Sequence, residues 1–163
     1  MSPVPFELAR WRLDDPRFFG DFVDSPYFRD AVYERFSEGE MNRRLELTRQ
    51  KMARLGLHAL VVCGGPSHWS YGGGVFWLTN HREWHAMSVY VLVPQDGEPM
   101  LVYGMGGTHI EATRRAVAVR DVRPAPRGQF ADVLADRIEE LGLQEGRIGI
   151  TVVDPRYGDY LPL

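Results

Sequence analysis

Hydrophobic positions begin to recur with a fixed period shortly after Glu40. Met41, Leu45, Thr48, Met52 and Leu55 follow one another at three- and four-residue steps, and Gly56 stands where such a helix would stop. The spacing predicts one amphipathic helix. Residues 58–63 (HALVVC) then form a short apolar run between Gly56 and Gly64-Gly65, the pattern of a strand buried on both faces. Residues 66–71 suit one or two helical turns, and after three glycines, 72–74, residues 75–78 (VFWL) read as a short extended segment. Residues 86–94 and 99–103 are two apolar strands joined by Gln95-Asp96-Gly97-Glu98, and Asp-Gly at that point predicts an antiparallel hairpin.

The second half alternates more regularly. Residues 108–116 are expected to be helical and 117–122 to form a strand. Phe130, Val133, Leu134, Ile138 and Leu141 share one face of a helix over 129–141, closed by Gly142. Residues 147–153 (RIGITVV) read as a further buried strand. This order predicts a three-layer α/β/α domain over residues 41–163, with a mixed, mostly buried sheet and helices on both faces. Residues 1–40 differ: they are crowded with aromatic residues and turn-formers, with a short helix expected after Ser25-Pro26, and read as an arm that packs aromatics onto something else.

Composition narrows the class. With 163 residues, 44% of them hydrophobic and 25% charged, the chain has enough apolar surface for a single core. A net charge of -3 provides no basic field for nucleic acid or anionic lipid, so neither is expected as a partner. Cys63 is the sole cysteine, in apolar surroundings, which suits a buried thiol in a reducing compartment. The first residues lack the layout of a secretory signal, and no apolar stretch approaches the ~20 residues that cross a bilayer. A cytoplasmic location is expected. The last ten residues, 154–163, carry no capping element or polar tail, as in a chain that continues.

Candidate chemistry is sparse. The densest polar cluster is Asn80-His81-Arg82-Glu83-Trp84-His85. His81 and His85 have the four-residue spacing of a zinc pair on a helix. However, Arg82 stands where the metalloprotease motif needs its glutamate, and no third ligand follows, so no metal site is expected here. The better reading is a loop whose His81, Arg82, Trp84 and His85 shape a pocket completed by another part of the protein. Gly104-Met105-Gly106-Gly107-Thr108 lacks both the Gly-Lys-Ser/Thr ending and the dinucleotide spacing, and reads as a strand-to-helix connection with Thr108 as N-cap. Neither Cys63 near His68 nor Ser67 or Ser70 forms a nucleophile arrangement, and no catalytic residue is assigned.

Four motifs in order resemble the N-terminal domain of the creatinase/prolidase/aminopeptidase P family of pita-bread enzymes. The helix leading into Gly56-Leu57-His58-Ala59-Leu60-Val61-Val62 is similar to the family's opening, with His58 where aspartate is common. Phe76-Trp77-Leu78-Thr79-Asn80 resembles its aromatic-Leu-Thr-Gly step, with Asn80 in place of glycine. Asp96-Gly97-Glu98-Pro99 resembles its hairpin, and Leu141-Gly142-Leu143 through Arg147-Ile148-Gly149-Ile150 its closing strand.

The resemblance implies a division of labour. The catalytic domain of that family follows this one and, in its peptidases, holds a pair of divalent metals such as manganese, cobalt or zinc. No cofactor is expected within residues 1–163 themselves. By the same resemblance the segment is non-catalytic, contributes to a homodimer, packs against its own C-terminal catalytic domain and lends the loop of His81, Arg82, Trp84 and His85 to the substrate entrance. The parent activity would be that of an Xaa-Pro peptidase or a creatinase-type hydrolase. The alternative is a free-standing α/β module that binds a small molecule or a protein without catalysis.

Overall fold

The computed structural model describes residues 36–64, 73–81, 88–104 and 106–151. The chain divides after Arg35 into two units, and all described residues belong to the second, Phe36–Leu163. The helix expected after Ser25 and the turns expected over 66–71 lie outside the described residues, apart from Phe36.

Helix α1 spans Glu38–Arg54, opened by Ser37, whose hydroxyl accepts from the Glu40 N–H. It leads to strand β1, Ala59–Gly64. Then come α2 (Gly74–Thr79), β2 (Val89–Pro94), β3 (Met100–Tyr103), α3 (Thr108–Ala116), β4 (Asp121–Pro124), α4 (Phe130–Glu140) and β5 (Ile148–Ile150). The five strands lie in the order β4-β3-β2-β1-β5. β2 is antiparallel to both neighbours, while β1 pairs parallel with β5 and β3 parallel with β4. Four strands therefore point one way and β2 the other, which is the mixed sheet that the sequence predicts.

Alternation along the strands divides the core into two layers. Val62, Val89, Val91, Val93 and Leu101 face Met52 of α1, Val75 of α2 and Ile110 of α3. Ala59, Val61, Tyr90, Leu92, Met100 and Val102 face Leu134 and Phe130 of α4. β2 and β3 are buried at every position because helices cover both faces. Each Val or Leu so enclosed stabilises the fold by about 1.5–3 kcal/mol relative to leaving it in water. The result is the expected three-layer α/β/α arrangement.

Side-chain clamps fix the layers. Arg49 of α1 donates to the carbonyls of Pro94 and Gly97, holding the β2–β3 turn, where Gly97 takes φ 99°. Arg123 of β4 forks onto Asp121 and onto Glu140 of α4, with both Glu140 contacts at 2.8 Å. His58, standing where aspartate is common in the resembling family, accepts the Arg147 N–H on Nδ1 at 2.8 Å and donates its own backbone N–H to the Arg147 carbonyl at 2.8 Å. A carboxylate could accept the same N–H, so either residue type can pin the start of β5 to the start of β1.

Five expectations need correction. Residues 75–78 are not extended but lie within α2; the β-branched and aromatic side chains favour a strand locally, and packing on β1 overrides them. The strand expected over 117–122 forms at Asp121–Pro124, because Val117 caps α3 and Ala118 donates to the Thr79 carbonyl, so these residues belong to the crossover. α3 is capped by Gly107 rather than Thr108. β5 is half-buried, with Ile150 49% exposed, because it is the outer strand beside β1. Cys63 is likewise only partly buried, against the α4 layer.

The tightest packing is at the end of β1. A Cβ on Gly64 would lie 2.7 Å from Val89 Cγ1, 2.8 Å from Val75 Cγ2 and 3.1 Å from the Val89 carbonyl. Backbone on one side and two branched side chains on the other leave no room for relief. Gly64→Ala is expected to lower the unfolding free energy by about 1–3 kcal/mol in urea denaturation. Gly106→Ala, where an added carbon meets nothing within 4 Å, should change it little.

Candidate functional site

The strand register puts Gly64, Val89, Tyr103 and Pro124 in one row across the sheet. This row is the C-terminal end of β1, β3 and β4 and the start of β2. Ligand sites of open α/β sheets gather at this kind of edge, where connections leave the carboxyl ends of parallel strands.

α2 supplies one wall. Gly74 lets it approach β1 so closely that a Cβ there would sit 2.8 Å from Val62 Cγ1. Val75 and Thr79, one turn apart, face inward, and the Thr79 hydroxyl donates to the Val75 carbonyl at 2.7 Å. Asn80 ends the helix in the left-handed region with φ 61°. Glycine occupies the matching place in the resembling family's motif, and asparagine is among the few other residues that adopt this conformation readily. The substitution therefore keeps the turn. Asn80 is buried and its Oδ1 has no hydrogen-bond partner among the described residues.

The turn delivers His81 to the row. Its N–H donates to Thr79 Oγ1 at 3.0 Å, and its ring meets the Tyr103 ring edge-on at 4.9 Å and 68°. Only 7% of His81 is exposed, so it is a packed residue. Arg82, Trp84 and His85 lie outside the described residues. Of the four residues that the sequence singles out, His81 is thus the one whose place is described. Among the described residues no group of three or more His, Cys, Asp or Glu side chains is placed to hold a metal ion. No helix among them is long and apolar enough to cross a membrane.

A second feature, at the α1–α2 contact, leaves only a faint trace in the sequence. The Arg44 guanidinium lies between two rings, 3.8 Å from the centroid of Phe36 and 4.3 Å from that of Trp77. Nη1 donates to the Trp77 carbonyl at 3.3 Å, and Nε donates to Glu40 at 2.8 Å. Phe36 in turn packs on Phe76 at 5.7 Å. Arg44 is 7% exposed, while Phe36 and Trp77 remain 39% and 42% exposed, so a buried cation carries two accessible aromatic rings. The trace is an arginine on the apolar stripe, three residues after Met41 and one before Leu45.

Hydrogen bonds from Arg43 and Arg44 pull the Glu40 carboxyl down from 4.5 to about 2. A carboxylate whose pKa is lowered by folding adds stability in full above its ordinary value, and loses it as pH falls through the folded value. Stability should therefore decline between about pH 4.5 and about pH 2 by an amount that Glu40→Gln removes, as read from urea melts of both proteins across that range. A separate pair of substitutions tests the left-handed turn. Asn80→Gly should shift stability by less than about 1 kcal/mol, and Asn80→Val should cost about 1–3 kcal/mol.

No family model matches the sequence, and no curated protein matches it. Among solved structures, the chain is similar to an Xaa-Pro dipeptidase from Bacillus anthracis, with a TM-score of 0.50 and 13% identity over 72% of this chain. It spans 30% of the length of that Bacillus chain. An aminopeptidase P (Xaa-Pro aminopeptidase) from Streptococcus thermophilus is similar at a TM-score of 0.49 and 21% identity, covering 72% of this chain and 80% of that one. A proline dipeptidase from Streptococcus agalactiae is similar at 0.45 and 13%, covering 74% and 99%. At such identities a likeness speaks for the fold. The described domain accordingly has an α/β fold found within the Bacillus Xaa-Pro dipeptidase, in agreement with the fold that the four sequence motifs imply.

Proposed function

We propose that this chain is the non-catalytic N-terminal domain of a hydrolase acting on Xaa-Pro peptides or a related small amide, creatinase-type substrates included. The row of strand ends at Gly64, Val89 and Tyr103 is its working edge. The observation that carries this reading is the anchoring of His81 on Tyr103 in that row, which starts the loop of Arg82, Trp84 and His85 from the end of the sheet where ligands of such folds gather.

On this reading, the reacting centre and its divalent metals belong to a catalytic domain elsewhere in the protein. The loop contributes binding and not chemistry. The Arg82 guanidinium offers paired donors to a substrate carboxylate, and Trp84 offers an apolar wall against which a proline ring loses water. His81, packed on Tyr103, holds the loop's first residue in place. Homodimer formation through this domain belongs to the same proposal, as does a cytoplasmic location.

The test compares hydrolysis of Ala-Pro and Gly-Pro substrates by this chain and by the full gene product, each with added manganese or cobalt. Activity is expected only in the longer protein. In that protein, Arg82→Ala should raise KM about tenfold or more with kcat nearly unchanged, the mark of lost uniform binding. Hydrolysis by this chain alone would overturn the reading.

A further inference from the structure

Away from the strand-end row, the C-terminal half of α1 borders an open groove of about 280 Å³, lined by Leu47, Met52, Leu55, Leu57, Leu60 and Lys51. The apolar periodicity of α1 predicts that Leu55 is covered, yet it is 51% exposed, and Leu47, two turns earlier, is 44% exposed. Gly149 of the outer strand β5 borders the same leucines, since a Cβ there would lie 2.7 Å from Leu57 Cδ1 and 3.2 Å from Leu60 Cδ1. The groove is thus an apolar trough between a helix and the sheet edge, with its leucine rim half in water.

Three cations stand at the end of the groove where α1 stops. Lys51 lines the groove, Arg54 lies next to Leu55, and Arg147 Nη1 reaches within 3.8 Å of where a Gly56 Cβ would be. All three cations are exposed, and none belongs to an ion pair among the described residues, whereas Arg43, Arg44, Arg114, Arg123 and Arg137 all do. The negative end of α1 accounts for Lys51 and Arg54 being basic. It does not account for the exposed leucines beside them.

We propose that this groove docks an acidic amphipathic helix of a partner protein, with apolar side chains at i and i+4 seated on Leu47, Leu55 and Leu57 and carboxylates facing Lys51, Arg54 and Arg147. Helix-in-groove recognition lays the apolar face of an amphipathic helix into an apolar trough, and Leu47 and Leu55 border such a trough along α1. A second copy of this chain is the poorer occupant. Two-fold docking of one groove on another would set Lys51 against Lys51 and bring like charges together on both rims.

The probe is a fluorescein-labelled synthetic helix with a leucine face and glutamate flanks, titrated into the chain by fluorescence anisotropy, beside a version with lysine flanks. Saturable binding of the glutamate peptide is expected, weakening as salt is raised, with the lysine peptide binding at least about tenfold more weakly. Leu55→Asp and Lys51→Glu should each weaken the glutamate peptide about tenfold. Both substitutions fall at exposed positions, and unchanged thermal melts would confirm that the fold persists. Equal binding of the two peptides, absence of saturable binding, or wild-type affinity in Leu55→Asp would overturn the proposal.

Discussion

The contact on which the strand-end row and its approach depend is the near-touch of α2 and β1. Gly64 and Gly74 each omit a Cβ that would stand under 3 Å from a valine of the opposite element. That closeness lets a six-residue helix, too short to persist alone, form on the sheet. Once seated, α2 turns Trp77 back over Arg44 of α1, Thr79 inward to accept the His81 N–H, and Asn80 into the left-handed turn. His81 then lands on Tyr103, at the end of β3. A chain of steric and hydrogen-bonding constraints thus runs from two glycines to His81.

The same contact explains what can and cannot be read from sequence. α1, β1, the β2–β3 hairpin and α4 are legible because their apolar period is long or their turn chemistry specific: Asp96-Gly97 for the hairpin, and Phe130, Val133, Leu134 and Ile138 for α4. α2 is hidden because Val75, Phe76, Trp77 and Leu78 prefer extended backbone locally, and the deciding atoms are Val62 and Gly64, ten or more residues away. The position of β4 is obscured for a similar reason, since Ala118 is taken up by a hydrogen bond to Thr79, far off in sequence.

For the candidate site, sequence singles out a stretch of chain but not the support that the fold gives its first residue. The polar run beginning at His81 is conspicuous among apolar strands. Burial of His81 against Tyr103 depends on strand register, which no local pattern reveals. The Arg44 stack joins residues as far apart as Phe36 and Trp77, and only the out-of-place charge on the apolar face of α1 hints at it. Asn80 is visible as a departure from the family's glycine, and the backbone shows why the departure is tolerated. The likeness to the Bacillus structure supports the architecture alone.

The most direct measurement of the central claim is a crystal structure of the full gene product with the hydrolysis product proline bound. The account predicts that the row of Gly64, Val89, Tyr103 and Pro124 faces the catalytic cleft, with the Arg82 guanidinium on the product carboxylate. A row turned away from the cleft, with product and loop on opposite sides of the molecule, would contradict it.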